Sequence, residues 1–88
     1  MTNPLKIILY GTPWCGDTRR SRKVLDDNQV EYEWININTD SEAEAFVKKT
    51  NNGFRSVPTI IFPDGSILVE PKDQILLEKL TTSGFITH

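Results

Sequence analysis

The only cysteine of this 88-residue chain, Cys15, lies in a turn between an apolar run and a polar segment. Gly11 and Pro13 bend the chain before it, and Trp14 places an aromatic ring beside the sulfur. A cysteine thiolate is a nucleophile that attacks disulfides. Thr18 stands where a second cysteine would allow an internal disulfide. These residues therefore indicate disulfide exchange by a single thiol, which an external thiol must release.

Composition argues against several classes of protein. The formal net charge of -2 gives no basic excess, so we expect neither a nucleic-acid partner nor an anionic membrane partner. No run of about 18 apolar residues is present to cross a membrane. One cysteine cannot build a four-cysteine zinc site, and we predict no metal site. We expect a single domain over residues 1–88, acting as a monomer. A free thiol suits a reducing compartment, and residues 1–4 lack the layout of a secretion signal, so we expect a cytoplasmic protein.

Hydrophobic patterning and turn residues predict seven elements in the order β-α-β-α-β-β-α. Strands are expected at 6–10, 30–37, 57–62 and 66–69, and helices at 15–28, 42–50 and 72–82. Strands that are joined by a helix are expected to run parallel, while a tight turn at 63–65 makes the last two strands an antiparallel hairpin. The fold class is therefore α/β, a four-stranded mixed sheet flanked by three helices, with helices on both faces.

This sheet places Cys15 at one working edge, because it follows the carboxyl end of the first strand. Pro58 begins the third strand and would lie at the opposite edge if all helix-joined strands were parallel. If the third strand runs antiparallel to the first, Pro58 meets the same edge as Cys15. The patterning leaves both directions open.

The starts of the first two helices carry further local predictions. Ser41 and Glu44 have the spacing of a capping box at the start of the second helix. The N-terminus of the first helix presents free N–H groups and partial positive charge, which favour a thiolate at Cys15. We expect Arg19 and Arg22 to add positive potential there.

Three segments, taken in order, resemble the glutaredoxin branch of the thioredoxin superfamily. They are Trp14-Cys15-Gly16-Asp17-Thr18, Ser56-Val57-Pro58-Thr59 and Pro63-Asp64-Gly65-Ser66. The longer pattern Asn52-Gly53-Phe54-Arg55-Ser56-Val57-Pro58-Thr59 is similar to that of the small mycoredoxin-like glutaredoxins. The resemblance implies a thioredoxin fold of the glutaredoxin type over nearly the whole chain, and it implies a thiol-disulfide oxidoreductase.

The chain also departs from that family at three places. Thr18 replaces the second cysteine, and Gly11 stands where a basic residue is usual. Many glutathione users have a double glycine followed by an acid after the fourth strand, but the segment at 70–73 reads Glu-Pro-Lys-Asp. These departures bear on the expected glutathione site and not on the expected fold.

The resemblance assigns roles to the residues around the thiol. Cys15 is the expected nucleophile and Pro58 a cis-proline beside it. Thr18 follows Cys15 by three residues on the same helix face, and this spacing predicts that its hydroxyl donates a hydrogen bond to the sulfur. The residues expected to bind the thiol are Pro13, Trp14, Arg55 and Val57. Val57 would offer its backbone to an extended thiol peptide, and Arg55 would meet a carboxylate.

We expect glutathione or mycothiol as co-substrate, protein disulfides as substrates, and no tightly bound cofactor. Two other functions stay open. Monothiol glutaredoxins with Cys-Gly-Phe-Ser bridge a [2Fe-2S] cluster between two subunits, and Cys-Gly-Asp-Thr at 15–18 resembles that pattern in part. The chain would alternatively be a thioredoxin-fold binding module with an unreactive cysteine. A threonine engineered in place of a resolving cysteine would give the same sequence.

Overall fold

Residues 5–86, which the computed structural model describes, form four strands and three helices in the predicted order. The elements are β1 (Ile7–Gly11), α1 (Gly16–Asp27), β2 (Tyr32–Asn36), α2 (Ser41–Thr50), β3 (Thr59–Ile61), β4 (Ile67–Val69) and α3 (Asp73–Thr82). Residues 1–4, where a secretion signal was considered, lie outside the described part. None of the helices in residues 5–86 is long and apolar enough to span a membrane.

The strands form one mixed sheet in the order β2-β1-β3-β4. β1 pairs in parallel with β2 and antiparallel with β3, and β4 pairs antiparallel with β3. Leu9 in β1 lies between Trp34 in β2 and Ile60 in β3. The mixed sheet predicted from the sequence is therefore confirmed.

The direction of β3 corrects the expectation that helix-joined strands run parallel, because β3 runs opposite to β1 and β2. The reason lies in the connection at residues 51–58. The 10-residue helix α2 is ~15 Å long, whereas an extended segment of the length of 51–58 spans up to ~26 Å. The chain therefore has enough length to return to the edge where β2 ends before β3 begins.

Three strands are shorter than predicted: β4 lacks only Ser66, while β2 and β3 are shorter at both ends, where outer residues bond elsewhere. Val30 was expected in β2, but its N–H donates to the carbonyl of Leu25 at 2.9 Å and so closes the end of α1. Gln29 before it has φ +56°, which turns the chain. In β3, Pro58 has no N–H for the ladder, and the Phe62 N–H donates to Ser66 at 2.9 Å within the hairpin turn.

Both faces of the sheet are covered by helices. The larger core joins α1 and α3 to one face and contains Ile7, Leu9, Val24, Leu25, Val30, Ile60, Phe62, Leu76 and Leu80. The smaller core joins α2 to the other face and contains Ile37, Ala43 and Val47. On α3, Leu76 and Leu80 are buried, whereas Ile75 is 46% exposed.

The start of α2 differs from the predicted capping box. Asp40 is the N-cap residue, and its Oδ1 accepts a hydrogen bond from the Ala43 N–H at 3.0 Å. Ser41 is then the first helical residue, and the Glu44 carboxylate pairs with Arg55 instead of reaching back to the cap. Two cap-forming side chains are adjacent in the sequence, and the aspartate takes the role.

Candidate functional site

Cys15 is the N-cap residue of α1, with an extended backbone at φ -76° and ψ 125°. Its carbonyl accepts a hydrogen bond from the Arg19 N–H at 3.0 Å, and its own N–H donates to Thr12 at 3.3 Å. The half-buried Cys15 is therefore the residue at which the helix starts, as the sequence predicted, and its side chain makes no hydrogen bond to the free N–H groups of the helix.

The structure brings Cys15 and Val57 together across the edge of the sheet. The Cys15 Sγ lies 3.7 Å from the backbone carbonyl oxygen of Val57, to which the thiol donates. The Val57–Pro58 peptide bond is cis, and the Pro58 ring is buried. The antiparallel direction of β3 is what places this segment at the same edge as the thiol.

Two polar side chains that the sequence did not single out hold this segment in place. The Thr59 hydroxyl is fully buried, donates to the Ser56 carbonyl at 2.8 Å and accepts from the Asn51 amide at 3.1 Å. The Asn51 amide also donates to the Val47 carbonyl at 2.8 Å in α2. These bonds connect both ends of the 51–58 loop. In the sequence, the threonine directly after Pro58 was the feature that could have indicated this role.

Thr18 does not make the predicted hydrogen bond to the sulfur of Cys15. Its side chain is fully buried, and its Oγ1 has no hydrogen-bond partner among residues 5–86. It packs on the backbone of Gly11 instead, since a Cβ atom at Gly11 would lie 2.6 Å from the Thr18 Cγ2. As N-cap, Cys15 has non-helical backbone angles, so helical spacing does not relate its side chain to that of Thr18.

Arg55 is already engaged on the α2 side of the site. Its Nε donates to the Glu44 carboxylate at 2.6 Å, and its Nη2 donates to the Asn38 amide oxygen at 2.5 Å. A carboxylate of a bound thiol would therefore have to compete with Glu44 for this guanidinium.

Arg22 is engaged at the β2 edge of the sheet. Its guanidinium lies 4.1 Å from the ring centroid of Trp34, and its Nε donates to the Tyr32 hydroxyl at 3.2 Å. The interactions of Arg22 are thus with two aromatic side chains of β2, and its contribution to the positive potential at the thiol stays a prediction.

Near the carboxyl end of β1, Tyr10 is half-buried and stacks at 5.1 Å on Phe46 of α2. Burial, together with the carboxylates of Glu33 and Asp40, raises the pKa of the Tyr10 hydroxyl. On the first turn of α1, Asp17 pairs with Arg20. The Tyr10 phenol therefore stays neutral at ordinary pH, and its ring packs against Phe46 and the smaller core.

Exposed aromatic side chains border the pair of Cys15 and Val57. Trp14, next to Cys15, is 86% exposed, and Phe54, in the loop before Val57, is 70% exposed. Pro13 is half-buried. The sequence had singled out Trp14 and Pro13 but not Phe54, for which a position between a glycine and an arginine in a turn was the only signal. Within residues 5–86, no cluster of three or more histidine, cysteine or acidic residues is placed to hold a metal ion.

Comparison with known proteins relates this arrangement to one family. The glutaredoxin family model matches residues 7–67. A protein of Mycobacterium tuberculosis named as a glutaredoxin is 36% identical over 74 residues, covering 84% of this chain and 88% of that protein. Mycoredoxin 1 of Corynebacterium glutamicum is 35% identical over 74 residues, covering 84% of this chain and 91% of that protein. Among solved structures, a thioredoxin-like protein superposes with a TM-score of 0.75 at 25% identity, covering 86% of this chain and 100% of the other. The predicted fold is confirmed.

Proposed function

Because the chain belongs to the glutaredoxin family, whose members are thiol-disulfide oxidoreductases, we propose that it is a monothiol enzyme of that family. In this proposal Cys15 exchanges disulfides with an external low-molecular-weight thiol. The observation that carries it is the position of Cys15, which is the N-cap residue of α1 and has its sulfur 3.7 Å from the carbonyl oxygen of Val57. The chain has no second cysteine to resolve a mixed disulfide.

The proposed cycle has two exchange steps. In the first, the Cys15 thiolate attacks one sulfur of a substrate disulfide, a bond forms between the two sulfurs, and the other substrate sulfur leaves as a thiolate that takes up a proton. In the second, an external thiolate attacks the sulfur bound to Cys15 and releases Cys15 as thiolate. When the substrate is a mixed disulfide with the external thiol, the first step transfers that thiol to Cys15 and frees the substrate thiol, and the second step consumes one free external thiol and releases the disulfide of the two external thiols. With any other disulfide, the second step releases a mixed disulfide of the external thiol, and a second external thiol must reduce it.

For the external thiol we propose one without free carboxylates, such as mycothiol, rather than glutathione, which carries two. Three features support this choice. Arg55 is held by Glu44 and Asn38, Gly11 stands where relatives of this kind usually have a basic residue, and residues 70–73 lack the double glycine of many glutathione users. The 35% identity to mycoredoxin 1 points the same way.

For protein substrates we propose an extended segment that lies along Val57. The backbone of Val57 would pair with the segment as in strand addition, and Trp14, Pro13 and Phe54 would border it. Thr18 and Pro58 would support the turn and the loop on either side of the sulfur, and the enzyme would act as a monomer in a reducing compartment.

The testing experiment is a coupled turnover assay on the full chain. The substrate is bis(2-hydroxyethyl) disulfide, the reductant is mycothiol or glutathione, and Cys15→Ser is the matched control. We expect turnover that depends on Cys15 and is faster with mycothiol. Absence of turnover with both thiols would contradict the proposal and favour the inactive binding module. The iron–sulfur alternative stays an untested prediction.

A further inference from the structure

Gly11 is the last residue of β1, and its backbone is fixed in the sheet. It pairs in register with Asn36 of β2, and its carbonyl accepts a hydrogen bond from the Ile37 N–H at 3.0 Å. A Cβ atom built on Gly11 would lie 2.6 Å from Cγ2 and 2.8 Å from Oγ1 of Thr18, both closer than real Cβ contacts. Thr18 therefore occupies the space that a side chain at position 11 would need.

The third neighbour of this space is the ring of Trp34. Its Cζ3 would lie 3.2 Å from a Cβ atom on Gly11. Arg22 stacks on this ring at 4.1 Å and bonds to Tyr32, so the ring is held from α1 as well as from β2. A movement of Trp34 therefore cannot easily relieve the clash that a side chain at position 11 would cause, and Thr18 has to move.

Thr18 lies in the first turns of α1, three residues after the N-cap Cys15. Val57, in contrast, is carried by the loop before β3, which Asn51 and Thr59 hold independently of α1. A shift of Thr18 away from β1 would therefore move the sulfur of Cys15 relative to the carbonyl of Val57.

From this geometry we infer that Gly11 is a positioning residue. Because it has no side chain, Thr18 packs directly on β1, and this packing determines the position of the Cys15 sulfur. The inference concerns the site of the proposed function, and its turnover consequence rests on that function. A longer side chain at position 11 would likewise meet Thr18 and Trp34.

The test is a double-substitution cycle of Gly11→Ala and Thr18→Ala in the full, reduced chain. The first readout is the rate at which iodoacetamide alkylates Cys15 between pH 5 and 9, which needs no knowledge of the natural thiol. We expect Gly11→Ala to change this rate at pH 7 by about threefold or more, because small displacements at a reacting atom have large effects on rate. In the Thr18→Ala background, which removes both close atoms, the same change should have less than about a twofold effect.

Gly16→Ala is the matched control for an added methyl group near the sulfur. Outside its two chain neighbours and the backbone of its own helix, the nearest atom to its Cβ would be Arg20 Nη1 at 3.6 Å, an ordinary contact, so we expect less than about a twofold change. An equal effect of Gly11→Ala in both backgrounds, or no effect in either, would overturn the inference.

If Gly11→Ala fails to fold, the double variant with Gly11→Ala and Thr18→Ala tests the inference. It must fold and match Thr18→Ala in alkylation rate, and its failure to do either would overturn the inference. The second readout is kcat/KM with bis(2-hydroxyethyl) disulfide, where Gly11→Ala should lose about tenfold or more. If no variant turns over, the proposed function fails, while the alkylation rates still decide the role of Gly11.

Discussion

Cys15 and Thr18 are separated by less than one helical turn, yet they face different neighbours. The sequence predicted the position of Cys15 at the start of α1, because turn residues precede it and a segment with helical propensity follows. It did not predict the contact between Thr18 and Gly11, because that contact depends on how closely α1 approaches β1. Residue types mark the reactive position, whereas packing distances decide what its neighbours do.

Replacing Thr18 by cysteine should change how the adduct on Cys15 is released. The Thr18 side chain is fully buried near the N-terminus of α1, and cysteine has a similar volume. We expect Thr18→Cys to form an internal disulfide and release a bound thiol without an external one. Mass spectrometry after exposure to oxidised mycothiol measures this. The wild type should keep its adduct, and an adduct of equal lifetime in Thr18→Cys would contradict the expectation.

Freeing Arg55 should improve the use of a thiol that carries carboxylates. Glu44→Gln removes the charge that holds the Arg55 guanidinium at 2.6 Å. Exposed pairs of this kind are worth roughly 0.2–1 kcal/mol, so kcat/KM with glutathione should rise by a factor of about 1.4 to 5. Steady-state assays with mycothiol provide the comparison and should show little change. A gain of equal size with both thiols would show that Arg55 does not discriminate by carboxylate.

At the scale of elements, the order and type of all seven were predictable, and most boundaries moved by one or two residues. Hydrophobic periodicity and turn residues are local properties, and they were sufficient to predict the order and type of these elements. The direction of β3 was not predictable, because the 51–58 connection is long enough for either direction. The cap of α2 was misassigned because Asp40 and Ser41 are both good N-cap residues and stand side by side.

The β3–β4 hairpin is tied to α3 through one aspartate, and this gives a pH dependence. Asp64 accepts hydrogen bonds from the Ser66 hydroxyl and N–H and from Lys79, and these lower its pKa from 3.8 to about 2. The stabilisation is present above pH 3.8 and is lost as the pH falls toward about 2. We therefore expect Asp64→Asn to be less stable than the wild type at pH 6, with the difference vanishing near pH 2.

Urea unfolding of the wild type and Asp64→Asn between pH 2 and 7 measures this dependence. Asp26→Asn removes an exposed carboxylate to which the structure assigns no side-chain hydrogen bond, and it serves as the control for charge. A stability difference for Asp64→Asn that stays constant down to pH 2 would contradict the assignment.

At the scale of the molecule, two contacts depend on the whole fold. The thiol of Cys15 meets Val57 because α1 follows β1 while β3 runs antiparallel to it. Gly11 joins the same edge to α1 through Thr18. Cys15 and Val57 are 42 residues apart along the chain. Gly11 and Thr18 are close in sequence, but their contact depends on how closely α1 packs on β1, so neither contact follows from local sequence. The resemblance to the glutaredoxins predicted that the thiol lies beside the Val57–Pro58 segment, whereas the contact between Gly11 and Thr18 was seen only in the structure.

The central claim is that Cys15 alone carries the exchange and that an external thiol completes it. Mass spectrometry of the intact reduced chain, after addition of mycothiol disulfide and then of free mycothiol, tests it most directly. We predict one adduct per chain, located on Cys15, which free mycothiol discharges fully to restore the reduced mass, with Cys15→Ser forming none. An unreactive Cys15, or an adduct that free thiol does not discharge, would contradict the account.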